Sequence, residues 1–258
     1  MSRTVPTSSG TATRHHAPDT HAVATAAAPD QAQSPASTPA RPRPGPAIAG
    51  LIAPGLFFVT MTVLGFLTPG YSPVHTAASN LSLGKYGWVM IANFVVYGIL
   101  EIIFARGLWL AYRSAQPGRL GARAVALNGV AFLVAGVFVT DPVAGKVTTL
   151  HGMLHVAAAL ALFFVAWPIA MIAFARYFRT ARIFSVISMA AAVVIPVLFI
   201  ATWADAGIFG LLERLMLAAG WAWLTVLAAR LYVHDRKLAG RAIPRPRAAT
   251  AWSSPSSS

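Results

Sequence analysis

Two histidines four residues apart, preceded by an aspartate, are the side chains of this sequence best suited to chemistry. They lie in TDPVAGKVTTLHGMLH (140–155), where His151 and His155 share one helix face a turn apart. That spacing lets two imidazoles hold one zinc ion. The glutamate of the metalloprotease pattern H-E-x-x-H is absent, because Gly152 stands in its place. Two ligands do not make a centre, so a third has to come from His75, Asp141, Asp205 or Glu213. The competing role is architectural: Asp141 orients His151, and the pair locks the third and fourth helices together. Proton relay or substrate binding is the remaining use. Thr148 or Thr149 is placed to cap the helix that carries the histidines.

Three further groups qualify. In HTAASNLSLGKYGW (75–88), Ser79, Asn80 and Ser82 can satisfy the first free N–H groups of a following helix, or line a polar pocket. In GLLERL (210–215), Glu213 and Arg214 are adjacent and so point apart. Each needs a partner on another helix; Asp141 or Asp205 is the expected partner of Arg214, and an anionic substrate or headgroup is the alternative. Glu101 lies deep in an apolar segment, where a lone carboxylate is costly. Asn128 should reach its depth, with Arg106 or Arg123 nearby. Structural pairing is one role for Glu101, and proton coupling the other.

The elements that must position these residues are membrane spans. The chain has 258 residues, 57% hydrophobic and 10% charged, against about 25% charged in an ordinary soluble domain. Its mean hydropathy is +0.64. Crossing the hydrocarbon core takes about 20 apolar residues. Six segments qualify, at about 47–67, 86–112, 122–140, 150–174, 183–203 and 208–232. The predicted fold is therefore an all-α polytopic bundle of six transmembrane helices, at 47–233. It is flanked by an Ala/Pro/Ser/Thr-rich tail (1–46), expected to be disordered, and a basic, then Ser/Pro-rich tail (234–258). His15, His16 and His21 sit in the first tail, where a weak metal patch is possible and inert sequence is the simpler reading. No apolar h-region follows a basic start, so no signal peptide is expected.

Charge gives the orientation. Of 20 Lys and Arg residues, only Lys85, Lys146 and Arg214 fall on one side of the spans, and the others fall on the opposite side. The positive-inside rule makes both termini cytoplasmic. The net charge of +13 is then a topological signal and not a nucleic-acid footprint, and the inner face should attract anionic lipid headgroups. Trp88, Trp109 and Trp203 fall near span ends, as in an interfacial belt. No cysteine is present, which excludes thiolate chemistry and disulfides. Pro54, Pro168 and Pro196 fall inside the first, fourth and fifth spans and can kink them. No convincing internal repeat relates the two halves. The excess of Arg over Lys and the abundance of Ala suggest a GC-rich bacterial genome, and the expected location is a bacterial cell membrane.

The outer motifs, taken in order with six helices, resemble the membrane-protein family called domain of unknown function 998. The resemblance runs from about 50 to 233. It is carried by His75, Leu81-Ser82, Tyr86-Gly87-Trp88, Thr140-Asp141-Pro142, Thr148, His151-Gly152, His155, Gly210 and Arg214. Asn80 departs from the acidic residue expected before Leu-Ser. The resemblance implies six membrane helices and supplies no activity. A more distant similarity, to the alkaline ceramidase and progestin-receptor-like membrane hydrolases, implies zinc; only His151, His155 and Asp141 correspond, and those proteins usually have seven helices.

Three functions follow as expectations. The first is a non-enzymatic protein with an outward-facing polar pocket for a lipid or small molecule, lined by His75, Ser82, Asp141, His151, His155 and Arg214. The second is a zinc-dependent hydrolase of lipid amides or esters, its metal on His151, His155 and His75, with Asp141 as orienting group or base. The third is a proton-coupled transporter with Glu101 as carrier.

Overall fold

The computed structural model describes residues 44–142, 146–204 and 206–241. Asp205 and the tail histidines lie outside the described residues. A backbone in lipid must satisfy its own N–H and C=O groups, so apolar runs of this length wind into helices. They do: α1 is Gly45–Leu67, α2 Gly87–Tyr112, α3 Gln116–Val137, α4 Leu150–Leu160, α5 Trp167–Tyr177, α6 Arg182–Ala204 and α7 Phe209–Arg241. A π-helical segment, Ala161–Ala166, joins α4 to α5, so that Leu150–Tyr177 is one span. Six helices are long and apolar enough to cross a membrane. No strand occurs among the described residues.

Three boundaries differ from expectation. α3 starts at Gln116 rather than near 122, because Pro117 suits the first turn, where its missing N–H costs nothing. It ends at Val137, three residues before the expected end. α7 runs to Arg241, past the expected start of the tail at 234: its charged last turns leave the apolar layer without losing helical geometry. The prolines also behave unequally. α1 and α6 continue through Pro54 and Pro196. Pro168, which cannot donate to the carbonyl four residues back, is the second residue after the π segment.

Neighbours in sequence pack side by side, and α7 closes the ring by packing on both α6 and α1. Phe57 of α1 is the hub of the core. Its ring meets Phe94 and Tyr97 of α2 at 5.1 and 5.5 Å, Phe132 of α3 at 5.6 Å and Trp221 of α7 at 5.1 Å. The first three are edge-on and the Trp221 contact is tilted; such ring pairs add to area burial. α2 and α3 touch through glycine. A Cβ on Gly98 would lie 2.6 Å from the Gly129 carbonyl oxygen, and one on Gly129 would lie 2.8 Å from that of Gly98. Small residues allow such backbone contact between membrane helices.

The bundle has two chemically distinct ends. At one, Tyr112 of α2 meets Phe178 at 5.4 Å and His234 of α7 at 5.5 Å, among the arginines. At the other, the connection after α1 lies across the start of α7, with Leu211 N–H donating to the Val74 carbonyl at 3.0 Å. This second end carries His75, His151, His155 and Asp141.

Candidate functional site

The residues singled out by spacing divide into those that build the second end and those that face its cavity. Asp141 builds. Its carboxylate accepts Thr148 N–H at 2.7 Å, Thr149 N–H at 3.1 Å and the Thr149 hydroxyl at 2.7 Å. Thr149 in turn caps α4 by accepting Gly152 N–H at 3.0 Å. Asp141 therefore holds the start of α4, and no Asp141–His151 hydrogen bond occurs among the described residues; threonine is the partner that was expected to be histidine. The approach requires Gly152, since any Cβ there would collide with the Asp141 carboxylate. The glycine at the second position of the H-G-x-x-H pattern is thus explained by the aspartate and not by a missing glutamate.

Three donors hold the Asp141 carboxyl below its ordinary value, the Thr148 N–H first among them and the Thr149 hydroxyl second. A depressed folded value means that its contribution to stability is complete above the unfolded value of about 4 and is lost as pH falls through the folded one. Asp141→Asn should lower the melting temperature at neutral pH. It should also remove the part of the acid-induced loss that the wild type shows below about pH 4. A melting curve unchanged at both pH values would remove Asp141 from the architecture.

The two histidines do different things. His155 is buried, and its Nδ1–H donates to the carbonyls of Ala135 and Phe138, each at 3.0 Å. A carbonyl only accepts, so Nδ1 carries the proton and Nε2 is left as an acceptor. His151 is exposed and leans edge-on against Phe138, with ring centroids 5.4 Å apart. His75 is exposed on the loop after α1, and its Nδ1 donates to the Gly207 carbonyl. Among the described residues no three His, Asp or Glu side chains are arranged to hold a metal ion.

Arg214 also builds. Its Nη1 donates to the carbonyls of Gly210 at 2.8 Å and Thr76 at 3.2 Å, its Nη2 donates to the Tyr71 hydroxyl, and its guanidinium lies 5.5 Å over the Tyr71 ring. Asp141, one of its two expected partners, is not among these contacts, and the other, Asp205, lies outside the described residues. Burial raises the Tyr71 hydroxyl above its ordinary value, opposed by the Arg214 charge. It stays a phenol at neutral pH and donates to the Ala77 carbonyl at 3.1 Å. Glu213 turns the other way and accepts Ala78 N–H at 2.5 Å, at the start of a short 3₁₀ turn, Ala78–Ser82. That turn is where Ser79, Asn80 and Ser82 lie. None of them caps α2, whose start has no side-chain cap. Ser82 donates to the Ser79 carbonyl at 2.6 Å, and Asn80 donates to the Pro142 carbonyl at 3.2 Å.

A cavity of about 80 Å³ lies between these segments. Ser79 and Asn80, Asp141, Lys146, His155 and Glu213 contribute its polar lining. Phe163, Phe199, Trp203 and Met216 form the apolar wall. The cavity thus joins three segments far apart in sequence. His75, Ser82, His151 and Arg214 do not line it. α4 packs on α3, and α6 packs on α5 and the π segment, so α4 and α6 diverge beyond that segment and the cavity occupies the gap. Sequence reasoning did not find Lys146, Phe163 or Trp203 as wall residues, because only the divergence at the π segment brings them together; Pro168 was its one visible trace.

Glu101 is remote from this cavity. It is 2% exposed and accepts Asn128 Nδ2–H at 2.6 Å; Asn128 itself has no exposed surface. The arginines stay away: Arg106 is exposed, and Arg123 stacks 5.1 Å over Trp109.

Six apolar helices in a closed ring, with polar groups gathered at one end, define a multi-pass integral membrane protein. Residues 51–230 match the family model described as "Protein of unknown function (DUF998)", and the chain belongs to that family. Comparison with curated proteins gives no match, and comparison with solved structures gives none.

Proposed function

We propose that the protein is a binding protein for an amphiphile, whose polar head sits in the cavity between α4 and α6 while its chain lies against the outside of those helices. The observation that carries this reading is the position of the cavity, in a gap between membrane helices, where polar groups meet the buried rings of Phe163 and Phe199 and the exposed Trp203. Its size decides between a whole ligand and a part of one. Pockets that enclose a drug-sized molecule run to about 300–1,000 Å³, so 80 Å³ suits a headgroup alone. His155 Nε2 and Glu213 offer acceptors, and Lys146 offers a cation, which suits a zwitterionic or hydroxyl-bearing head. By the positive-inside bias the arginine end is cytoplasmic and the cavity faces outward.

Two measurements test this reading. Mass spectrometry of the purified full chain should find one class of amphiphile at about one per chain; Ala159→Trp, which fills the cavity, should reduce it about tenfold without loss of fold. Equal retention in the filled variant would sink the proposal. The absence of cysteine allows a single label. Val147→Cys, at an exposed wall position, should react with a membrane-impermeant maleimide in intact cells. Reaction only after lysis would put the cavity on the inner side.

A further inference from the structure

At the arginine end a second cleft, of about 440 Å³, is lined by Tyr112, Phe178, Arg230, His234 and Lys237, with Val233 on its lipid side. The spacing on α7 is i, i+4 and i+7, which puts the three basic side chains on one helix face. Arg230 is held in an unusual way. Its guanidinium lies 4.5 Å over the Phe184 ring and 5.2 Å over the Phe178 ring. Its Nε is buried without a hydrogen-bond partner among the described residues. A guanidinium stacked on two rings is fixed in plane, and its N–H edge presents a planar fork of the kind that matches phosphate oxygens. No acidic side chain lines the cleft among the described residues; Asp235, next to His234 in sequence, is near enough to interact electrostatically with His234 and Tyr112. His234 is braced by Tyr112, with ring centroids 5.5 Å apart, and Lys237 is exposed at the mouth.

We propose that this cleft is a specific site for a phosphate group, Arg230 being its anchor and Lys237 its second cation. The phosphate is that of an anionic phospholipid: the cleft sits at the end of a membrane span and runs into exposed apolar residues, Val226 and Val233, that face acyl chains. General attraction of a basic face to anionic lipid would spread over all its arginines. A stacked arginine in a cleft concentrates it.

The test is native mass spectrometry of the full chain, delipidated in detergent and titrated with phosphatidylglycerol or phosphatidylcholine. The wild type should retain phosphatidylglycerol in preference. Arg230→Gln and Lys237→Gln should each weaken retention about fivefold, while Arg179→Gln, an arginine at the same end but outside the cleft, should not. Lys237 is exposed, so its variant reports on binding even if Arg230→Gln disturbs the stacking. Inorganic phosphate that stabilises the wild type and displaces the lipid would assign the site to free phosphate. Retention unchanged in both cleft variants, or lowered equally by Arg179→Gln, would overturn the proposal.

Discussion

Gly129→Leu should abolish the folded protein. The α2–α3 seam is where two backbones meet, and the first atom of any side chain at position 129 lands 2.8 Å from the Gly98 carbonyl oxygen and 2.9 Å from Ile102. Neither neighbour is the flexible end of a long side chain. The helices must move apart, and Phe132, one turn along α3, would then lose its places against Phe57 and Tyr97. Overfilling a packed site typically costs about 1–3 kcal/mol. Gly129→Ala should fall in that range, and leucine should exceed it and remove the monodisperse peak from size-exclusion chromatography. Gly55→Ala is the control, because nothing lies within 4 Å of its added methyl. A Gly129→Leu protein with a wild-type elution profile and melting curve would show that the seam is wider than described.

The second large effect belongs to Glu101. Removing its side chain leaves a space in the core and deprives Asn128 Nδ2 of the acceptor it has among the described residues. Truncating a buried side chain of this size costs about 2–5 kcal/mol, and an orphaned donor adds about 1–3 kcal/mol. Glu101→Ala should therefore be among the most destabilising substitutions in the bundle. Glu101→Gln keeps the shape and the carbonyl oxygen that Asn128 uses, and should cost less than about 1 kcal/mol. The contrast separates two roles. If glutamine preserves the melting temperature, the fold needs a hydrogen-bond acceptor there and not a charge. If glutamine is as harmful as alanine, an ionised carboxylate is part of the architecture. The unpartnered Oε2 of Glu101, together with the hydroxyl of Tyr97 and Oδ1 of Asn128, marks this as a polar cluster without full pairing, the arrangement a proton-handling site would also use.

The candidate site was legible by region and not by contact. Of the six residues expected to line a pocket, Asp141 and His155 were legible as lining of one cavity, and His75, Ser82, His151 and Arg214 do not line it. The partners of these side chains were not legible. Arg214 binds carbonyls and Tyr71, contacts no spacing foretold, because the loop after α1 folds over the start of α7; of its two expected partners, Asp205 lies outside the described residues. Asp141 was expected to reach His151. It reaches Thr148 and Thr149 instead, since the free N–H groups at a helix start are nearer and already oriented. Ser79 and Asn80 looked like caps of α2, but a 3₁₀ turn separates them from that helix and turns them to the cavity.

What the sequence determined by itself is the number of spans, their order and their all-helical character, because lipid imposes a length and a self-satisfied backbone on each segment separately. These are properties of one segment at a time, and composition reports them. Tertiary structure alone decided where α4 and α6 part, which glycines touch, and which donors meet which acceptors. Those outcomes depend on distances between helices of a few tenths of an ångström. No local pattern encodes such distances: the same His, Asp and Arg residues could have satisfied several other pairings, and packing selected one.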